Sequence, residues 1–366
     1  MGENQFDGSV LSMIINMTPD GKSKMEALRE YIKQADEAGD NYYRLYWRYE
    51  YAYQATFHDD PSKAIPVAAE YNAIVEDNPD TLNALPEDAR AEGYLMIVQM
   101  GIDPVAYMPQ IPMEQWEKMM EQFYILVKRY NTGLRTYWWQ MARFWRFIDK
   151  EKAHQYFQKF WKTGRDGLSD CRACERSYAV LMSLMAGDRE AADRYAKPLK
   201  AGRLPFCEDA PKLYIYAYLE NALDSGNLDE AQHFANQLNW KIKKTIQDLN
   251  YLGAVIRCFA YTNKEKACEK LASGIKNVQG LWDQKKVYDF YKGAWVLFHE
   301  LAKEKETASL SLPETFQLYK KDGIYNCHSL AEWFYSQAQD IGKRFDKRNG
   351  SSYFEKNLEL AILKKN

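Results

Sequence analysis

Two Glu-x-x-His pairs, Glu151/His154 and Glu230/His233, have the spacing with which one helix face presents a carboxylate and an imidazole to a metal ion. Two such pairs, joined by a glutamate from each of two further helices, would make a di-iron site. Both pairs, however, fall in the first turn of a helix that follows a tight link, where acidic residues favour the positive helix end. They also stand in different registers relative to the alanine beside them. They read as solvated surface residues, and no metal is expected there. Cys171-Arg-Ala-Cys174 has the spacing of half a zinc site, but zinc needs two more close ligands, and Cys207 stands isolated in the sequence. No strand precedes the pair, as a thiol–disulfide motif would require. The two cysteines read as small, half-buried helix residues.

Other fragments of chemistry are incomplete. His58-Asp59 lacks a partner histidine. His299-Glu300 begins a zinc-protease pattern that ends on Lys303 where a second histidine is needed. Cys327 and His328 are neighbours that point about 100° apart on a helix. There is no phosphate-binding loop, dinucleotide fingerprint or nucleophile elbow. The expectation is a protein that is not an enzyme and uses no cofactor; the alternative is an all-helical enzyme or metalloprotein with a Glu/His site.

The elements carrying these residues read as helices almost throughout. Met25, Leu28, Ile32 and Ala35 recur at three and four, as do Phe123, Leu126, Val127 and Tyr130. Asp60-Pro61 and Pro112 open helices, and Ser352-Tyr-Phe-Glu355 has the form of a capping box. The Tyr-rich run Leu213–Tyr218 continues into a Gly-Asn link, so it reads as helix rather than strand. Charge is nearly balanced, at −2 over 366 residues, which counts against nucleic acid or an anionic membrane as partner. No stretch is long and apolar enough to span a bilayer, and no signal peptide is read; a cytoplasmic location is expected.

A period organises the helices. Ala153, Ala192, Ala231 and Ala267 each follow a polar link, at intervals of 39, 39 and 36 residues. Asp59–Ala64 is an earlier match. Gly187, Gly226 or Asn263 supplies the turn, the small alanine permits close packing, and Tyr156, Tyr195, Phe234 or Leu271 fills the space one turn on. The segments Gly187-Asp-Arg-Glu-Ala-Ala192 and Gly226-Asn-Leu-Asp-Glu-Ala231 resemble the turn and second-helix start of tetratricopeptide repeats, with a period of about 38 rather than about 34 residues. The resemblance implies an all-α, right-handed superhelical solenoid of antiparallel helix hairpins whose first helices line a concave, peptide-binding face. On this reading residues 1–366 form one continuous solenoid. Residues 1–21 are a flexible N-terminus, 79–112 an irregular proline-containing joint, 134–280 the clearest repeats, and 352–366 a C-terminal capping helix.

Two first helices carry more aromatic side chains than packing requires. Residues 41–57 hold eight aromatics with Arg44 and Arg48; residues 135–147 hold Trp138, Trp139 and Trp145 with Arg135, Arg143 and Arg146. Rigid aromatic area beside forked donors is the composition of binding hot spots. The expected site is Tyr46, Tyr49, Tyr53, Trp138, Trp139, Arg143 and Arg146. The expected partner is a protein or peptide segment, acidic or carboxy-terminal, so that the chain would act as an adaptor, scaffold or peptide-responsive regulator, with self-association open.

Overall fold

A computed structural model describes residues 6–205, 207–243 and 246–363. Among the described residues the chain is all-α apart from one small antiparallel ladder. It divides into two units, the first formed by 1–106, 111–141 and 159–169, the second by 107–110, 142–158 and 170–366.

Unit 1 contains α1 (Gly8–Met17), α2 (Lys22–Ala38), α3 (Asn41–His58), α4 (Ala64–Asp77), α5 (Glu87–Ile102) and α6 (Met113–Tyr130). The expected flexible N-terminus is instead helical over Gly8–Met17, because Asp7 accepts the amides of Ser9 and Val10 and starts the helix. Residues 1–5 of that expectation lie outside the described residues. The proline-containing region holds α5 between two short 3₁₀ turns, Pro79–Ala84 and Asp103–Tyr107. α2, α3, α4 and α5 pack in sequence around Trp47, Tyr51, Tyr71 and Tyr94, all buried.

α7 (Leu134–Trp145) and α8 (Lys150–Lys162) contribute residues to both units. Unit 2 continues with α9 (Arg172–Met185), α10 (Arg189–Lys200), α11 (Ala210–Asp224), α12 (Leu228–Lys241), α13 (Leu249–Thr262), α14 (Lys264–Gly274), α15 (Gln284–Ala302), α16 (Cys327–Asn349) and α17 (Tyr353–Glu359). Between α15 and α16, β1 (Thr307–Ser309) pairs antiparallel with β2 (Ile324–Asn326), a ladder that helical periodicity did not foretell. The hairpins α9/α10, α11/α12 and α13/α14 are each in contact, and α9, α11, α13 and α15 touch in series.

Two of the four periodic links close on a glycine. Gly187 and Gly226 take left-handed φ of 77° and 74°, and the amides after them reach back to Ser183 O and Ala222 O. This is the Schellman closure of a helix C-terminus, which favours glycine. The next residue then caps the following helix. Asp188 accepts Ala191 N at 2.8 Å, and Asn227 accepts Glu230 N at 3.2 Å. Asp149 and Asn263 cap the equivalent helices through Lys152 N and Lys266 N without a left-handed residue. The four alanines are fully buried. At α17 the expected capping box is not made. Ser352 makes no side-chain cap; Asp346, reaching from α16, accepts Phe354 N at 3.1 Å and Glu355 N at 2.9 Å.

Candidate functional site

Unit 2 gathers a set of polar and aromatic side chains that protein surrounds on most sides and solvent still reaches. They are Tyr107, Arg143, Arg146, Tyr216, Glu220, Lys285 and Tyr353, each only partly buried. Taken together, this cluster is the candidate recess of unit 2. Tyr107 enters it from the end of a 3₁₀ turn, Arg143 and Arg146 from the last turn of α7 and its exit, and Tyr178 from α9. α11 supplies Tyr216 and Glu220, and α15 supplies Lys285, Asp289 and Lys292.

Arg143 Nη2 donates to Tyr107 Oη at 3.0 Å, and its guanidinium lies 5.9 Å from the Tyr107 ring centre. Arg146 stacks 4.4 Å over Phe147 and 5.6 Å over Tyr178, favourable contacts for a planar cation. Its Nε is buried and has no hydrogen-bond partner among the described residues. Burial would raise the Tyr107 phenol, but the positive charges of Arg143 and then Arg146 outweigh it, so its pKa falls below the ordinary tyrosine value. Tyr178 behaves oppositely: burial pushes it up to about 12 despite Arg146.

Deeper in the unit the charges alternate. Lys285 Nζ donates to Asp289 Oδ2 at 2.5 Å, and Lys292 Nζ reaches Glu220 Oε2 at 3.3 Å and Asn357 Oδ1 at 3.1 Å. Arg257, with 1% of its surface exposed, bonds Asp224 Oδ1 at 3.1 Å and the carbonyl of Ala361 at 3.0 Å. Burial opposes ionisation of Glu220, but Lys292 and Arg257 overcome it and hold its pKa low. These pairs neutralise one another, whereas Arg143 and Arg146 stand beside the Tyr107 phenol and the rings of Phe147 and Tyr178.

The expected site residues separate. Arg143 and Arg146 stand in this recess. Tyr46, Tyr49, Tyr53, Trp138 and Trp139 belong to unit 1. There Tyr46 stacks on Tyr42, and Tyr49 donates to Met96 Sδ at 2.9 Å. Tyr53 is exposed beside Phe57. Trp138 carries Lys159 Nζ 4.5 Å over its ring, and Trp139 is buried against Phe160. Arg48 is committed to Asp36, at 2.7 Å, and Arg135 to main-chain carbonyls of 160 and 163. Tyr107, Tyr178 and Tyr353 were missed by sequence reasoning, since they lie far from Arg146 in the chain and carry no spacing signal.

The Glu/His pairs have ordinary local partners. Glu230 pairs with Arg189 at 2.5 Å, while His233 and His154 contact Gln237 and Gln158 one turn on. The cysteines differ from expectation. Cys207 is remote from Cys174 in sequence but lies 2.8 Å from it, sulfur to sulfur, and the sulfurs of Cys171, Cys174 and Cys207 all fall within 4.8 Å of one another. The isolation read for Cys207 is thus corrected: the link from α10 to α11 returns it to the start of α9. Burial works against a Cys171 thiolate, but the Cys174 amide and the neighbouring thiols outweigh it and lower its pKa, whereas burial and then the Cys207 thiol push Cys174 up.

Among the described residues no helix is long and apolar enough to cross a membrane. No protein-family profile, curated protein or solved structure matches this chain.

Proposed function

We propose that the chain is a non-enzymatic binding protein of tetratricopeptide-like hairpins, and that the recess of unit 2 takes a carboxylate at the end of, or on an acidic side chain of, a peptide segment. The observation that carries this reading is the placement of the two guanidiniums: Arg143 Nη2 donates to Tyr107 Oη at 3.0 Å, and Arg146 stacks 4.4 Å over Phe147 with its buried Nε lacking a partner among the described residues. Forked guanidiniums bind carboxylates through two parallel hydrogen bonds, and the surrounding rings supply apolar area at little rotamer cost. The serial contacts of α9, α11, α13 and α15 support a stack of hairpins, and a right-handed superhelix and a cytoplasmic location belong to the same proposal.

The test is capture of short acidic peptides, synthesised with free and with amidated C-termini, by fluorescence polarisation. Free carboxylates should be preferred. Arg143→Ala should cost about 2 kcal/mol or more in affinity, and Arg146→Lys should lose the preference for a planar carboxylate while keeping charge. Equal capture of free and amidated peptides, or parent-like capture by Arg143→Ala, overturns the reading. Tyr49→Ala and Trp138→Ala, both in unit 1, report whether that unit takes part.

A further inference from the structure

We propose that Cys171, Cys174 and Cys207 form a three-thiolate site for a soft divalent cation, zinc being the one it fits best. The first two ligands come from one helix start. Cys171 is the N-cap of α9, with its Sγ accepting the Cys174 amide at 3.3 Å, and Cys174 occupies the third helical position. An N-cap side chain and the third helical residue lie on the same side of the first turn, so both sulfurs face one point. The third ligand is brought by the link before α11. Ser177 Oγ donates to Ala173 O at 2.9 Å and to Ala210 O at 2.8 Å, strapping the first turn of α9 to the start of α11 three residues after Cys207.

Three sulfurs within 4.8 Å are one more than a disulfide can use. Around zinc, with bonds of about 2.3 Å, tetrahedral thiolates stand about 3.8 Å apart. All three sulfurs lie within 4.8 Å of one another, and the Cys174–Cys207 edge, at 2.8 Å, must open by about 1 Å to admit the ion. The alternative, closing that edge into a disulfide, would leave Cys171 with its amide-bonded sulfur unused and would require an external oxidant. Binding a cation requires neither; the thiols release protons and the metal takes the three charges. The acids flanking Cys207 are committed elsewhere, Glu208 to Lys243 at 2.9 Å and Asp209 to Lys212 at 3.1 Å. The fourth position therefore falls to water, an open coordination site rather than a closed structural one.

The test uses the full chain, purified with reductant and chelator, and cobalt(II) as the probe. One cobalt per chain should bind, with a thiolate-to-metal charge-transfer band and the visible bands of a tetrahedral ion, and zinc should bleach both. Cys207→Ser and Cys171→Ser should lose the charge-transfer intensity, and Cys268→Ser should keep it. Should Cys207→Ser fold poorly, cadmium-113 magnetic resonance on the parent chain counts the sulfur ligands directly, and a shift in the three-thiolate range supports the site. Absence of any charge-transfer band in reduced protein overturns the proposal. So does a Cys174–Cys207 disulfide in protein isolated under thiol-blocking conditions, if it persists when zinc is supplied during expression.

Discussion

Gly253 on α13 and Gly293 on α15 meet backbone to backbone. A Cβ added at Gly293 would overlap the Gly253 carbonyl oxygen and lie 2.9 Å from its carbon; one added at Gly253 would lie 2.8 Å from Phe290 Cα. Neither neighbour is the flexible end of a side chain, so neither can swing aside. This contact sets the distance between the helix that carries Arg257 and the helix that carries Lys285, Asp289 and Lys292. Gly293→Ala is therefore expected to destabilise unit 2 by at least about 3 kcal/mol, the upper part of the range for overpacking. Denaturant midpoints measure it. A variant that unfolds with the parent would show that the helices can separate without loss.

The repeat itself gives a second prediction. Ala192 and Ala231 are fully buried one turn into α10 and α12, beside the caps made by Asp188 and Asn227. Ala231→Trp should cost about 1–3 kcal/mol or more by overpacking, and Asn227→Ala about 1 kcal/mol by loss of the cap. Thermal melts of the two variants separate the contributions, and parent-like melting of Ala231→Trp would show that the alanine is not a packing position.

What the sequence made legible was local. The intervals between Ala153, Ala192, Ala231 and Ala267 could be read because each unit repeats a capping residue and a small residue within a few positions. The chemistry was not local. Tyr107 meets Arg143 across 36 residues and Cys174 meets Cys207 across 33, and no periodicity links them. Aromatic–Arg richness marked Arg143 and Arg146 but equally Trp139, which is buried, and Arg48, which is spent on Asp36. Composition cannot tell a guanidinium that closes a fold from one that faces a recess; the partner across the helix decides. At α17 the same ambiguity appears in miniature, since Ser352 has the right spacing to cap and Asp346 does the work.

Lys212 and Asp248 form a buried ion pair that ties α11 to the start of α13. Nζ and Oδ1 are 2.7 Å apart, and the side chains keep 3% and 1% of their surface exposed. Asp248 also accepts Lys243 N at 2.8 Å. Burial disfavours the Lys212 charge, but Asp248 and Asp209 more than restore it, and its pKa is raised. Removing one partner leaves the other charge buried and uncompensated, so Lys212→Met should cost about 3–5 kcal/mol. The double variant Lys212→Met with Asp248→Leu should recover much of the loss. Equilibrium unfolding of the single and double variants checks this, and a fully additive cycle would mean the two groups act independently.

Tyr107 is expected to ionise below the ordinary tyrosine value. Its folded pKa lies below the ordinary value of 10.0 because Arg143 and Arg146 outweigh burial, whereas burial raises Tyr46, Tyr178 and Tyr291 to about 12. The consequences for stability have opposite signs. A group with a depressed folded pKa contributes stability that is present above its unfolded value and lost as pH falls through the folded one. Relative to Tyr107→Phe, the parent should gain stability as pH rises from the folded pKa of Tyr107 toward about 10. The raised tyrosines contribute stability that is complete below about pH 10 and lost as pH climbs toward 12, so alkaline unfolding should begin in that upper window. Ultraviolet difference absorbance of tyrosinate resolves the steps. The parent should show a low-pH step that Tyr107→Phe removes and that moves upward in Arg143→Gln, where the nearest positive charge is gone but the side chain is nearly conserved in size. A titration in which Tyr107→Phe deletes intensity only from the high-pH phase would mean the guanidiniums do not stabilise the phenolate, and the anion-binding role of that end of the recess would lose its physical basis.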